Sequence, residues 1–339
     1  VLESFTANII EPLGGKPGVT PRLNALAEEG ILFDRFYATG TRSEMGLASL
    51  FSGVSSLPNK SVMKDLRKVN ELSFLFKDLK KANYHSQFYY GGDMNFANFK
   101  AYFTTAGIDN IISKESFPVA DQSSSWGVPV HIVLNKLFLD YNSAKKPSCN
   151  VLFSLNSHTP FDVPMETVIE GNDDDHKFMN AAYYTDKSLG AFIDKVKKSS
   201  KWENTLIIIT ADHGCNYTHS AQRYDPIKFK IPMLWLGGAL KVSPYVNHKI
   251  SSQSDLSITL LNQLNTKVIS DSYPFAHDLF KETMGSAFYT YSGGLGFLND
   301  TITQVFDINA GEDKIKVGYQ DDLPLGKAIL QESSRRYGN

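Results

Sequence analysis

Short apolar runs alternate with amphipathic stretches through the first two-thirds of the chain, the βα rhythm of a mostly parallel sheet. Thr20-Pro21 followed by Leu23, Leu26 and Ala27 predicts a helix with Thr20 as N-cap and Pro21 at its first position. Gly30 is expected to end it, and Ile31-Leu32-Phe33 begins an extended segment. Apolar residues at 72, 75, 76 and 79 have helical spacing and predict a helix over 71–82. The run 151–155 reads as a buried strand leading straight into Asn156-Ser157-His158. A further helix is predicted over 180–198, with Ala182, Leu189, Phe192, Ile193 and Val196 on one side. Leu206-Ile207-Ile208-Ile209-Thr210 is continuous and rich in β-branched residues, as in a strand covered on both faces. It delivers Ala211-Asp212-His213-Gly214 at its C-terminal end. An amphipathic helix follows over 254–264, then a loop with Pro274.

From about residue 285 the texture changes. Phe288-Tyr289-Thr290-Tyr291 and Ile302-Thr303-Gln304-Val305-Phe306 are β-rich and separated by Gly293, Gly294 and Gly296. They predict a small antiparallel sheet, closed by a last helix over 325–332. The expected fold is therefore α/β: a mostly parallel central sheet with helices on both faces, plus a small C-terminal antiparallel sheet with a helix. The expected division is a catalytic domain over 1–268 and a smaller subdomain over 269–339 packed on it.

Composition narrows the function classes. Of 339 residues, 42% are hydrophobic and 21% charged, enough for a sizeable core and unlike disordered, collagen-like or coiled-coil chains. The 34 basic and 36 acidic residues leave a net charge of −2, with no basic stripe, which argues against nucleic acid as a partner. Cys149 and Cys215 allow one bridge or two free thiols. Asp173-Asp174-Asp175 reads as a solvated loop. No apolar run approaches the roughly 18 residues that span a bilayer. The chain opens on Val1-Leu2-Glu3 without an initiator Met and reads as a trimmed fragment, so this says little of the full-length protein.

Four places put hard polar groups at a strand end or loop, where ligands collect in open α/β sheets. Glu3 follows an apolar pair, and Thr39-Gly40-Thr41-Arg42-Ser43-Glu44 sets three hydroxyls beside an arginine. His158 follows one buried strand, and Asp212-His213 follows another. Taken singly, each has a structural explanation: a capping carboxylate, a core histidine, a helix cap. Converging, they suit a divalent metal beside a hydroxyl nucleophile. Arg42 could orient an anion bidentately or serve as a surface ion-pair partner.

Glu3-Ser4-Phe5, Thr20-Pro21-Arg22-Leu23, Gly40-Thr41-Arg42-Ser43 and Thr210-Ala211-Asp212-His213-Gly214 occur in the order seen in the alkaline phosphatase/sulfatase superfamily, which this chain resembles. Within it, the chain is most similar to lipoteichoic acid synthases and the phosphoglycerol transferases of periplasmic glucan decoration. Supporting stretches are Tyr90-Gly91-Gly92-Asp93 with Asn98, Ser125-Trp126-Gly127, Asn156-Ser157-His158-Thr159-Pro160-Phe161 and Lys230-Ile231-Pro232-Met233, so the resemblance runs from residue 1 to about 310. It implies Glu3, Asp212 and His213 as metal ligands, with Ser43 as both ligand and nucleophile where most relatives have threonine. Thr41 is the alternative if the loop register slips. It implies one divalent ion, manganese in most of this branch, with zinc or magnesium as alternatives. His158 matches a histidine on the transferred phosphate or its leaving group. Asn98, Trp126, His158 and His219 are the implied substrate-binding residues, and Arg42 stands beside the nucleophile.

The resemblance implies a phosphoglycerol transferase working through a covalent phospho-Ser43. Its donor would be a phospholipid head group, and its acceptor a glycan or glycerol-phosphate chain. Such an enzyme would be held at the cell membrane by an N-terminal anchor, with its catalytic domain extracellular or periplasmic. A phosphoric or sulfuric ester hydrolase on the same site and a catalytically silent binding domain are the rivals. Formylglycine-dependent sulfatases convert the Cys or Ser of a C/S-x-P/A-x-R stretch. Ser43 is followed instead by Glu44, Met45, Gly46 and Leu47, which disfavours sulfatase chemistry.

Overall fold

The structure, a computed structural model, describes residues 1–266, 272–318 and 323–338. In chain order the first elements are α1 (Pro21–Ala27), β1 (Ile31–Phe33), β2 (Phe36–Tyr37), α2 (Ser43–Ser52), α3 (Leu66–Asn70) and α4 (Leu75–Lys81). Next come β3 (His85–Tyr90), α5 (Phe99–Thr105), β4 (Asn110–Ile112), α6 (Val130–Ser143), β5 (Ser148–Phe153) and α7 (Asp174–Lys197). Then follow β6 (Ile207–Thr210), β7 (Met233–Leu236), β8 (Tyr245–Asn247), β9 (Ser251–Ser252) and α8 (Asp255–Gln263). The chain ends with β10 (Ser286–Tyr291), β11 (Gly294–Asn299), β12 (Thr303–Asp307), β13 (Glu312–Val317) and α9 (Leu323–Tyr337).

Two extended residues at the start of the chain join the halves of the central sheet. Strands β4-β3-β5 form one half, all parallel, and β6-β7-β1-β8 the other, which is mixed. Between them, the Val1 nitrogen donates to Leu152 O at 2.7 Å and Val1 O accepts from Ser154 N at 3.1 Å. On the other side Leu2 N donates to Thr210 O at 2.7 Å and Leu2 O accepts from Asp212 N at 3.3 Å. Leu2 pairs in parallel with Ala211, so Glu3 emerges directly beside Asp212. Only β7 runs against the rest of this sheet among the described residues.

Helices cover both faces, as the alternation along β3 shows. Phe88 stacks on Phe103 of α5 at 3.8 Å and Tyr90 meets Phe99 of α5, while Tyr89 points the other way and donates to Asp140 of α6. Each fully buried phenylalanine contributes about 1.5–3 kcal/mol through removal of its ring from water. On the α6 side, α7 packs against both α6 and α1. The buried Asp186 of α7 accepts from Arg22 N at 2.8 Å and Leu23 N at 2.7 Å, capping α1 from outside its own sequence. Arg22 adds a two-oxygen contact to Asp194, about two turns further along α7.

The local expectations divide accordingly. Pro21 does open α1, but Thr20 is no side-chain cap: its hydroxyl donates to Ile9 O at 2.8 Å, and Asp186 satisfies the helix instead. That helix ends at Ala27 with Glu28 as its C-cap, so Gly30 lies beyond it, at the entry to β1. The helix expected over 71–82 begins only at Leu75. Residues 66–70 form the separate α3, and Leu72 reaches the core from the turn between the two. Asp173-Asp174-Asp175 is no free loop. Asp173 caps α7 by accepting from His176 N at 2.9 Å, and the other two place negative charge on its first turn. The helix therefore starts six residues before the expected position.

The predicted antiparallel sheet is present in the order β10-β11-β12-β13, with α9 against β11. Phe288, Leu295, Phe297 and Ile302 pack toward Ile329 and Leu330 of α9. Ala287, Tyr289 and Tyr291 point the other way and pack with Phe229 and Ile250 of the main body. Phe229 stacks on Tyr289 at 3.8 Å. The division expected between 268 and 269 lies outside the described residues. Cys149 and Cys215 are both free thiols, and burial pushes each up to about 12. Cys215, the buried one of the two, should not react with a thiol reagent in the native protein near pH 8 and should react after denaturation; rapid native labelling of Cys215 would contradict this burial.

Replacing Asp186 by Ala would leave two helix N–H groups buried without acceptors. The expected loss is about 1–3 kcal/mol of stability, measured as a lower denaturation midpoint with an unchanged slope. A change within experimental error would mean that water satisfies both groups.

Candidate metal and nucleophile site

The site lies where the N-terminal segment, β6 and the first turn of α2 converge. Asp212 is fully buried at the end of β6. Its Oδ1 accepts from Ser4 N and from His213 N, each at 2.8 Å. Its Oδ2 is buried without any hydrogen-bond partner and faces His213 Nε2 at 3.3 Å. Glu3 is 3% exposed, with its Oε1 3.8 Å from His213 Nε2. Ser4 Oγ donates to Glu3 Oε1 at 2.7 Å, and the Ser4 backbone is held at a φ of +56°. A non-glycine residue in that region is uncommon, and here its nitrogen and its hydroxyl both serve the carboxylates.

His213 Nδ1 lies 2.8 Å from Gly214 O, the contact expected of an N–H donor, and this leaves Nε2 facing the two carboxylates. One ligand atom from each of Glu3, Asp212 and His213 lies within 4.8 Å of the other two. Burial raises the Glu3 carboxyl pKa, and the neighbouring Asp212 charge raises it further. Burial lowers the His213 imidazole pKa, but the Asp212 and Glu3 carboxylates outweigh it and hold the net shift upward. Both shifts express excess negative charge in a dry site. A cation would relieve it, and the bare Asp212 oxygen is aimed to meet one, so the residues present fit a metal ion.

Three hydroxyls share the loop before α2, and the structure separates them. Thr39 is buried and its Oγ1 lies 2.5 Å from Ser49 Oγ and 2.8 Å from Ser56 Oγ. Thr41 is exposed. Ser43 is buried and donates to Glu3 Oε2 at 3.2 Å. It is the first residue of α2 rather than its cap: Arg42 holds the cap position with extended backbone and no capping side chain. The Ser43 hydroxyl thus sits at a helix N-terminus, where N–H groups favour an anion. Every residue of α2 is buried, and its approach to β6 is closest at Gly46, where a Cβ would lie 1.7 Å from Asp212 O.

The cleft above these groups has a volume of about 1090 Å³, and Glu3, Arg42, Ser43, His158 and His213 all line it. Arg42 is exposed, with Nη1 4.0 Å from Glu44 Oε1, and Lys64 Nζ reaches the same oxygen at 3.4 Å. His158 Nδ1 is 3.0 Å from Thr159 O, leaving Nε2 without a protein partner among the described residues. Three of the expected substrate-binding positions do other work. Trp126 stands against His158 with ring centres 4.3 Å apart and donates to Thr159 O at 2.7 Å, so it braces the imidazole rather than lining the cleft. Asn98 donates to Met63 O at 2.6 Å in a left-handed conformation at the start of α5. His219 has Nε2 3.0 Å from Cys215 O and accepts from Ala221 N through Nδ1, so both ring nitrogens are engaged.

A buried residue that sequence reasoning missed ties the site together. Gln253, fully buried just before α8, donates to Ala211 O at 2.9 Å and Asp212 O at 2.6 Å. Its Oε1 accepts from Thr39 N at 3.0 Å. One amide therefore fixes the end of β6 to the loop that carries Ser43. No motif marks it: in sequence it is one polar residue among Ser251, Ser252, Ser254 and Asp255.

A family model described as Sulfatase matches residues 1–266. The chain belongs to the Sulfatase family. Among curated proteins, it is 24% identical over 298 residues to the lipoteichoic acid synthase-like YvgJ of Bacillus subtilis, covering 82% of this chain and 48% of that protein. It is 25% identical over 373 aligned positions to the lipoteichoic acid synthase of Staphylococcus aureus, covering 99% and 57%. The chain spans about half the length of the curated relatives it matches. Among solved structures, an alkaline phosphatase superfamily protein from Vibrio parahaemolyticus matches with a TM-score of 0.88 and 28% identity, over 100% of this chain and 86% of that one. The lipoteichoic acid synthase LtaP from Listeria monocytogenes shares the fold at a TM-score of 0.84 and 19% identity, over 100% and 91%. The expected resemblance and the expected α/β fold with its C-terminal antiparallel sheet are both borne out.

For this Sulfatase family chain, Gln253→Leu should weaken metal affinity or turnover by about 10–100-fold, the range for residues that orient ligands. Stability should fall far less, and Gln253→Glu should rescue the Thr39 contact but not the two carbonyl contacts. Unchanged metal affinity and turnover in Gln253→Leu would remove the positioning role.

Proposed function

We propose that the chain is a metal-dependent phosphoglycerol transferase that works through a covalent phospho-Ser43. The observation that carries this reading is the Ser43 hydroxyl, held 3.2 Å from Glu3 above the Glu3, Asp212 and His213 cluster. Glu3, Asp212 and His213 would hold one divalent cation, with Ser43 completing a mixed nitrogen and oxygen donor set that suits manganese or zinc, with magnesium an alternative. When bound, the ion supplies a Lewis acid that lowers the hydroxyl pKa and neutralises phosphoryl charge.

The chain's own residues account for the rest. Ser43 Oγ forms a bond to phosphorus as the bond from phosphorus to the lipid alcohol breaks, and its proton passes to the carboxylate it already faces. His158, braced by Trp126, protonates the departing oxygen. An acceptor hydroxyl then attacks the same phosphorus and gives its proton to His158, while the bond from phosphorus to Ser43 breaks and Ser43 Oγ takes its proton back from Glu3. Arg42 at the rim draws the anionic donor in. Catalysis rests on positioning and charge stabilisation in a site whose walls are already rigid.

The donor that fits this reading is a phospholipid head group such as that of phosphatidylglycerol, and the acceptor a glycan or glycerol-phosphate chain. The similarity to lipoteichoic acid synthases supports that choice. A lipid donor would place the domain outside the cell membrane, held there by an anchor. Among the described residues no helix is long and apolar enough to cross a membrane. The residues after Ser43 lack the formylglycine pattern, which favours phosphoryl over sulfuric esters.

Ser43→Ala should abolish turnover and any trapped phospho-enzyme, while Ser43→Thr retains measurable activity because it supplies the same hydroxyl. Peptide mapping after reaction with a phosphodiester donor locates the adduct; an adduct on Thr41 would shift the nucleophile by two residues. Product analysis with water as sole acceptor separates transferase from hydrolase. His158→Ala should lower turnover by about 10²–10⁴-fold with metal content unchanged. Loss of the ion from a folded His158→Ala protein would make that residue a ligand instead.

A further inference from the structure

We propose that Ser154 and Ser157 are positioning residues that hold the backbone of Glu3, and with it the Glu3 carboxylate, against Asp212. This rests on the metal-dependent reading above and adds how the site keeps its shape for a cation.

The bonds between the first residues of the chain and the β5 segment change character at Glu3. Before it they run between backbone groups: the Val1 nitrogen donates to Leu152 O at 2.7 Å, and Ser154 N donates to Val1 O at 3.1 Å. At Glu3 two side chains take over. Glu3 N donates to Ser154 Oγ at 2.9 Å, and Ser157 Oγ donates to Glu3 O at 2.5 Å. Both serines are 1% exposed. Neither backbone group of Glu3 has another partner among the described residues. The two hydroxyls therefore grip the peptide groups on both sides of the Glu3 Cα.

The grip is itself anchored. Ser154 directly follows β5, which is paired along its whole length with β3. Between the serines, the buried Asn156 accepts from Val130 N, at the start of α6, at 2.9 Å and donates to Asp162 O at 3.4 Å. His158 N closes the turn on Leu155 O at 3.1 Å, so the residue after Ser157 is the imidazole that lines the cleft. One short segment thus fixes Glu3 and presents His158.

A strand end in water needs no such bonds, because solvent satisfies its peptide groups. Here the segment is buried, and its carboxylate faces another carboxylate. Like charges in a dry site repel, and a Glu3 backbone without partners would swing its side chain away from Asp212. Ser4 and Ser43 contact the carboxylate itself and would travel or part with it. Ser154 and Ser157 hold the backbone on which it turns. The site then keeps its excess negative charge before a cation arrives, and the cation gains the full relief on binding.

The test is the manganese dissociation constant, measured by calorimetry on the whole chain after chelator treatment and desalting. Ser154→Ala and Ser157→Ala should each weaken manganese binding by about 10–100-fold. Ser154→Thr, which keeps the hydroxyl at a strand end that suits threonine, should restore most of the affinity. Asp186→Ala is the comparison: it removes buried bonds from α1, outside the cleft, and should lose stability while keeping the parent's affinity. Ser157→Cys, of similar volume and a weaker donor, replaces Ser157→Ala if the latter does not fold. Parent-like manganese affinity in the folded serine variants would overturn the proposal. So would an equal loss in Asp186→Ala, because stability alone would then explain it. Failure of every serine variant to fold would overturn it as well, by making both residues structural. A parent chain whose variants lose manganese as expected, but which transfers no phosphoglycerol, would count against the transferase reading and leave the positioning role intact.

Discussion

Two carboxylates buried side by side are the constraint around which this molecule is arranged. Glu3 and Asp212 lie next to each other because Leu2 pairs with Ala211 in a parallel ladder. Neither side chain is more than marginally exposed. In a dry interior such a pair cannot stay doubly ionised without compensation. Asp212 Oδ1 is satisfied by two backbone N–H groups, yet Oδ2 accepts no hydrogen bond and faces only the His213 imidazole among the described residues. A protein that only needed stability would place apolar groups at these positions. The arrangement is coherent when a cation supplies the missing charge, and then His213 and Ser43 stand where its remaining ligands belong.

Holding like charges together demands rigid surroundings, and the buried polar network provides them. Gln253 links the carbonyls of Ala211 and Asp212 to the nitrogen of Thr39. Thr39 in turn contacts Ser49 and Ser56, and Ser49 donates to Val54 O at 2.6 Å, closing α2 onto its own loop. Such networks specify a single geometry because each member left unpaired would cost more than its bond contributes. Gly46 allows α2 to touch the Asp212 backbone, so Ser43 cannot drift from Glu3 unless the helix moves as a whole. The hydroxyl is placed by the core and not by a surface loop.

The residues that hold charge in this core were legible in the sequence because they sit at strand ends. Asp212 and His213 follow β6, Glu3 follows the extended Val1-Leu2 pair, and apolar runs mark both approaches. The alternation of strands and helices and the C-terminal antiparallel sheet were legible for the same reason: each periodicity reports a face that must be buried. What escaped was the purpose of polar residues away from strand ends. Asn98 and His219 have ligand chemistry, but their side chains are occupied by backbone groups: His219 by its neighbours Cys215 and Ala221, a choice settled by local conformation, and Asn98 by Met63, 35 residues away. Gln253 makes contacts across more than 200 residues of sequence to Thr39, so no local pattern could announce it. The break between α3 and α4 was hidden because Leu72 is buried from a turn just as it would be from a helix.

The same contrast separates the two walls of the cleft. On the side of Ser43 the polar groups are buried, mutually bonded and fixed by backbone close contacts. On the side of Arg223 and Lys228 the charged groups line the cleft without an ion-pair partner among the described residues, from a loop held at Gly214, Tyr217, Tyr224 and Phe229. Chemistry that depends on distances of a few tenths of an ångström belongs on the first wall. The second wall carries long side chains that adjust while their charge stays fixed in sign. The C-terminal sheet gives that second wall its footing: Tyr289 supports Phe229 from beneath, and Tyr291 and Ser292 face the cleft. A family fold can then keep one reacting centre and alter what it acts upon by changing a loop and the face of an appended sheet.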